Sequence, residues 1–321
     1  MNRLPLKTSS TSKASTETKS KTRICDSFWG ALVIIVLSTL PYFHDIITNT
    51  DGLKSWVPVF GLENLLTDAN DKILGFSTYR VFLYTFLIFL FTTIGWAGWY
   101  RNAKTKYYRN GLFLVFASGA YHVALIVLNI RRTILNDLAP KLILLGLLFL
   151  MLGYFATRMH GLTFRKVIVY VILFMLAILP FLHDVITDNG GTLRPWIPNF
   201  GIEAILTDSE GLVRGLRSYR LLIYLFSIYL LSHLGWIGWF MDSRGKRYRP
   251  FLLIPVALSL YQVIVIVMSW RETEFNSPSI KLYVTLGLGI ILAINFFYYN
   301  KYAPRATKTL QNTKTNENQQ N

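Results

Sequence analysis

The sequence predicts an all-α integral membrane protein, with eight transmembrane helices forming two parallel four-helix repeats related by a pseudo-twofold along the membrane normal. Three observations carry this: long apolar runs, an alternation of basic and non-basic connections between them, and a colinear duplication of the chain. Of 321 residues, 52% are hydrophobic and 16% charged, and the mean hydropathy is +0.38, a balance that argues against a water-soluble fold.

Crossing a hydrocarbon layer of about 30 Å takes roughly 20 helical residues. Eight runs approach that length: 28–43, 81–100, 112–130, 142–156, 167–182, 221–240, 251–270 and 282–299. The fourth is short enough to need its neighbours' help. Trp, Tyr, Lys and Arg flank the runs, and none shows the strict alternation of a barrel strand.

The connections test the count independently. The N-terminal tail, 101–109, 158–166, 242–249 and the C-terminal tail together hold 21 basic and 4 acidic residues, whereas the other side holds 12 and 13. By the positive-inside rule both termini are expected in the cytoplasm of a cell-membrane protein. Residues 1–26 and 301–321 are polar tails without a foldable apolar pattern. The first tail is rich in Ser, Thr and Lys but lacks the amphipathic Arg/Leu pattern of a transit peptide.

The duplication begins at Leu40-Pro41-Tyr42-Phe43-His44-Asp45, which returns as Leu179-Pro180-Phe181-Leu182-His183-Asp184. After one inserted residue the offset becomes 140, bringing Trp56, Glu63, Asp68, Tyr79-Arg80, Arg131 and Lys141 back as Trp196, Glu203, Asp208, Tyr219-Arg220, Arg271 and Lys281. Repeat 1 then spans 27–158, with a long outer loop at 44–78, and repeat 2 spans 159–300, with its loop at 183–218. Four spans per repeat make the repeats parallel. A cavity on their shared axis is the place to look for a pathway, and the plain alternative is a fused dimer whose axis is packed shut.

Charged and titratable residues gather at the outer ends. His44-Asp45 and His183-Asp184 follow the prolines that close the first and fifth runs. Related by the pseudo-twofold, they could meet as a gate or on a divalent metal, or simply end a helix. Arg80, Arg131, Arg220 and Arg271 share that side, where Asp45, Glu63, Asp68, Asp184, Glu203 and Asp208 are available to neutralise them and hold the loops down. These twelve residues are the candidate outer gate or ligand site. Each loop carries Trp-[Val/Ile]-Pro-x-Phe-Gly-[Leu/Ile]-Glu-x-[Leu/Ile]-Leu-Thr-Asp, a short amphipathic segment suited to lie in the interface with Trp56 or Trp196 at headgroup level.

Within the spans polar residues are sparse. His122 is matched by Gln262 and His233 by Thr93, which suits hydrogen bonding between helices rather than ligation. Gly95-x-x-Gly98 and Gly235-x-x-Gly238 read as close helix packing, and the interleaved Trp96, Trp99, Trp236 and Trp239 as markers of the inner interface. One cysteine, Cys25, excludes an intramolecular disulfide and a Cys-built metal or cluster site. No cofactor, catalytic residue or metal site is expected.

Two function classes are weighed. One is a channel or transporter with its pathway between the repeats; the other is a non-transporting scaffold, sensor, assembly or immunity protein. The chain lacks nucleotide and hydrolase motifs, so an enzyme would have to be intramembrane, acting on a lipid-linked substrate. The expected partners are the bilayer itself, anionic lipid on the cytoplasmic side, and a second copy of the chain. Nucleic acid is excluded because the basic residues sit in short blocks.

Overall fold

The structure, a computed structural model, describes residues 29–49, 52–58, 66–67, 72–103, 106–130, 133–160, 163–188, 190–198, 201, 205–207, 211–270, 273–296 and 298. Among these the chain is helical, with isolated β-bridges in the loops and no strand. Among the described residues seven helices are long and apolar enough to cross a membrane, and a bent pair at the start raises the number to eight if it is one broken span.

That pair is Trp29–Ser38 (α1) and Leu40–Ile47 (α2), which meet at 60°. Pro41 has no N–H to continue the ladder, so a carbonyl one turn back loses its partner. Two hydroxyls bond carbonyls of the preceding turn: Ser38 donates to the Ile34 carbonyl at 2.7 Å and Thr39 to the Val36 carbonyl at 2.8 Å. Tyr79–Asn102 (α3) follows, 24 residues long, its first turn capped by the Thr78 hydroxyl, which accepts from the Val81 N–H at 3.3 Å. Arg109–Val127 (α4) and Leu138–His160 (α5) complete this half of the chain.

Phe164–Ile178 (α6) runs through a 3₁₀ turn at Leu179–Phe181 into Leu182–Ile186 (α7), and the three pieces pass as one span. Pro180 therefore produces a tightened turn where Pro41 accompanies a sharp bend. Tyr219–Asp242 (α8) again has 24 residues and a hydroxyl cap, Ser218 accepting from Leu221 N–H at 3.3 Å. A 3₁₀ turn at Arg249–Leu252 leads into Leu253–Val267 (α9), and Pro278–Phe296 (α10) comes last.

Helices α3 and α8 form the centre. Their glycines are where the other helix's indoles sit: a Cβ on Gly98 would lie 2.1 Å from the Trp239 ring, and one on Gly238 would lie 2.2 Å from Trp99. Gly95 faces Trp236 and Gly235 faces Trp96 in the same way. Between apolar helices in lipid there is little hydrophobic drive, so the gain comes from close van der Waals approach, which small residues permit. Trp96 and Trp236 are wholly buried. They are the core of the α3–α8 contact. Helix α4 packs on α6, with the Ser118 hydroxyl donating to the Ala177 carbonyl at 2.8 Å. Helices α5 and α10 are the least buried and carry the exposed leucines and isoleucines of the periphery.

The loops after α2 and α7 begin alike. Thr48 and Thr187 hydroxyls donate to the His44 and His183 carbonyls, both at 2.6 Å. Lys54 reaches back to the Ile46 carbonyl at 2.7 Å, and Arg194 to the Thr187 and Asp184 carbonyls at 3.0 and 3.1 Å. A cation on the last carbonyls of a helix satisfies acceptors the helix leaves open and complements its dipole. Each loop then turns through a left-handed pair, Leu74-Gly75 or Arg214-Gly215, before entering α3 or α8. The amphipathic segment predicted after Pro58 and Pro198 lies largely outside the described residues. Trp56 and Trp196 are described, and both are 62% exposed.

Candidate functional site

The loop end of the bundle holds two cavities, one on each side of the central helix pair. The first has a volume of about 540 Å³ and the second about 300 Å³. They are built from corresponding positions. Asp184 with Lys141 and Arg220 lines the first, and Asp45 with Lys281 and Arg80 lines the second. The two His-Asp pairs therefore face different cavities and do not converge.

In the first cavity Asp184 sits at the start of α7, reached from three sides. The His183 Nε2 lies 3.3 Å from its Oδ1, Lys141 Nζ lies 3.5 Å from its Oδ2, and Arg220 bonds Oδ1 through one terminal nitrogen. Lys141 comes from α5, so a helix of one half meets the carboxylate of the other. Its side chain is 4% exposed, while that of Arg220 is 36% exposed. A buried ammonium needs a carboxylate close by, since desolvation otherwise drives out its charge.

The second cavity repeats the scheme. Arg80 donates to Asp45 Oδ1 at 2.7 Å, and His44 Nε2 lies 3.2 Å from the same oxygen. His44 thus presents its Nε2 proton to the carboxylate, and its buried Nδ1 has no partner among the described residues. Lys281, on α10, lines the cavity and acts electrostatically on Asp45. His44 and His183 each meet a tyrosine of the adjacent central helix edge-on, Tyr84 at 4.9 Å and Tyr224 at 5.0 Å between ring centres.

Below the charges the cavities differ. In the first, His122 is stacked between Phe89 and Phe181, with ring centres 4.5 and 4.7 Å away, and Lys141 stands over Phe181 at 5.4 Å. The His122 Nδ1 is 3.0 Å from the Ser118 carbonyl. A carbonyl only accepts, so Nδ1 carries the proton and Nε2 is the ring's acceptor. His122 thus bonds within its own helix and stacks on its neighbours. His233 does bond between helices, to the Val256 carbonyl at 3.2 Å and the Ser259 hydroxyl at 3.1 Å. In the second cavity Gln262 replaces His122, and Tyr229 and Leu225 occupy the places of Phe89 and Thr85.

Of the predicted site residues, His44, Asp45 and Arg80 come together in the second cavity and His183, Asp184 and Arg220 in the first. Glu63, Asp68, Arg131, Glu203, Asp208 and Arg271 lie outside the described residues. Among the described residues no three side chains of His, Cys, Asp and Glu gather as a metal site would require. The residues that sequence reasoning passed over are Lys141 and Lys281. Their signal was present: one lysine at the same repeat position, immediately before an apolar run in each half.

No known protein family, curated protein or solved structure matches the chain.

Proposed function

We propose that the protein is a multi-pass membrane carrier that takes up its solute off the central axis, at the charged cavities beside the α3–α8 pair. The observation that carries the reading is the reach of Lys141 from α5 to Asp184 on α7, which makes a charged cavity within the apolar bundle depend on both halves of the chain. Ionisable groups buried at membrane depth are costly and characteristically mark substrate or ion pathways. The tight α3–α8 contact argues against a channel running between the two central helices.

In this reading α1 and α2 form one broken span, giving eight spans arranged as two parallel repeats. The even number places both termini on one side, and the charge bias makes that side the cytoplasm of a cell-membrane protein. The cavities then open outward beneath the loops. At the opposite end, Arg101 and Lys246 line a cleft of about 670 Å³ beside Trp29 and Trp239, a combination suited to an anionic lipid of the inner leaflet.

A second reading, a non-transporting scaffold, draws on the mutual pairing of the cavity charges: Asp45 with Arg80, Asp184 with Lys141 and Arg220. Such pairs fix helices as well as bind solutes. Reconstituted protein separates the two. Flux of sodium, potassium, protons, chloride and small organic acids is measured in liposomes, for the wild type and a His44→Ala/His183→Ala variant. A carrier gives saturable flux of one of these solutes that the variant alters. Folded, monodisperse protein without saturable flux of any would overturn the carrier reading and favour the scaffold.

A further inference from the structure

We infer that the first cavity alone is the ligand site, and that it takes an amphiphilic anion whose carboxylate or phosphate lies against Lys141 and Arg220 and whose short apolar body lies against Phe89 and Leu125. The inference rests on the carrier reading only in taking the cavity as a solute site.

Several corresponding lining residues differ between the cavities, Leu125 against Val265 among them, while the charged set is the same, and three of these pairs stand out. Thr85, Phe89 and His122 line the first where Leu225, Tyr229 and Gln262 line the second. Leu for Thr and Tyr for Phe each add bulk, in keeping with the volumes of about 540 and 300 Å³. The larger value falls in the range of cavities that enclose a small organic ligand. Its lower wall is apolar and aromatic, formed by Phe76, Phe89, Leu125, Ile126 and Tyr224. Val81 and Leu221 extend it to the surface, 45% and 38% exposed.

The head of the ligand follows from the charges. Among the described lining residues, Lys141 and Arg220 face one carboxylate, Asp184, with His183 and His122 as the titratable neighbours. Two cations at one end of an otherwise apolar cavity suit an anionic head, and their attraction for it is strongest where the dielectric is low. Arginine's planar fork suits carboxylate and phosphate equally. The His122 Nε2 and the Thr85 hydroxyl, which itself donates to the Val81 carbonyl at 2.8 Å, add acceptors deeper in. A hydroxyl or N–H on the ligand body has partners there. An organic acid from water and an anionic lipid share this chemistry.

The test uses the full-length protein in phosphatidylcholine nanodiscs, titrated calorimetrically with octanoate and, separately, with octyl phosphate. One probe molecule binds per chain. Thr85→Leu/Phe89→Tyr/His122→Gln gives the first cavity the second's residues at these three positions, keeps every charge, and weakens binding by about tenfold or more, the scale of one lost contact set. The reciprocal Leu225→Thr/Tyr229→Phe/Gln262→His raises the stoichiometry toward two. Discs containing phosphatidylglycerol identify the source: loss of probe binding there marks a lipid headgroup as the occupant, and undiminished binding marks a water-borne acid. Equal binding to both cavities, wild-type affinity in the first triple variant, a second triple variant still binding one, or no binding of either probe would each overturn the inference. Flux without such binding removes this inference and leaves the carrier, whereas binding without flux does the reverse.

Discussion

Replacing Asp184 should destabilise the protein more than replacing either cation that meets it, and the losses should not add. The Lys141 ammonium is 3.5 Å from Asp184 Oδ2, and its side chain is 4% exposed. At an effective dielectric of about 20, the attraction at that separation is about 5 kcal/mol before desolvation is counted. Asp184→Asn leaves both Lys141 and Arg220 facing a neutral amide, and loss of one member of a buried pair costs about 3–5 kcal/mol. Lys141→Met keeps a side chain of similar length and leaves Asp184 bonded to Arg220, so about 2 kcal/mol is expected. Arg220→Met removes a cation whose side chain is 36% exposed, and screening by solvent reduces that loss to about 1 kcal/mol or less. In the double variant Lys141→Met/Asp184→Asn neither charge remains to be stranded, so its cost should fall below the sum of the singles by about 2–3 kcal/mol. Unfolding by SDS in mixed micelles, followed by tryptophan fluorescence, supplies the four free energies of the cycle. Additive losses, or an Arg220→Met variant less stable than Asp184→Asn, would refute the reasoning that buries this pair.

Two further perturbations probe other parts of the fold. Gly98→Ala and Gly238→Ala each drive a Cβ into an indole that its neighbouring Trp holds in place, and should cost about 1–3 kcal/mol. Gly146→Ala, with nothing within 4 Å of the added carbon, should be neutral or gain up to about 1 kcal/mol, as thermal melts in detergent would record. In the loop, Thr192 donates to Asp188 through its hydroxyl at 2.8 Å and its N–H at 2.9 Å, which holds the Asp188 carboxyl below its usual range. A lowered carboxyl contributes order above its unfolded value and loses it as pH falls through its folded one. The Thr192 amide should thus exchange faster with solvent on acidification below the ordinary aspartate range, measured at matched intrinsic rates, and a pH-independent protection factor would contradict this.

Most helices were legible because the apolar runs are long and a membrane solvent leaves few alternatives. The run at 142–156 began late because a lysine reads as the edge of an apolar stretch. Helix α5 instead starts at Leu138, since Asp184, supplied from elsewhere in the chain, lets Lys141 sit inside. No local pattern contains that partner. The Arg80–Asp45 and Arg220–Asp184 pairs were legible, because both members lie at helix ends joined by one loop. The packing role of the tryptophans was hidden for a similar reason: Gly-Trp-x-Gly-Trp has the composition of an interfacial belt. Only with α3 laid against α8 does each glycine become the seat of the other helix's indole. The inequality of the cavities was visible as His122 against Gln262, but its meaning depends on Phe89 and Thr85 lying beside His122, which spacing along two different helices does not reveal.

The crossing of the lysines also sets an order of completion during synthesis. The first cavity has its whole charged set once the ribosome has delivered α8, since Lys141 precedes Asp184 and Arg220 follows soon after. The second cannot be finished until the last helix arrives, because Asp45 enters early and Lys281 is on α10. For most of translation Asp45 has only Arg80 and His44 beside it. A nascent chain halted before α10 would therefore carry one finished cavity and one open one, and the final helix is the latch that closes the older half of the molecule.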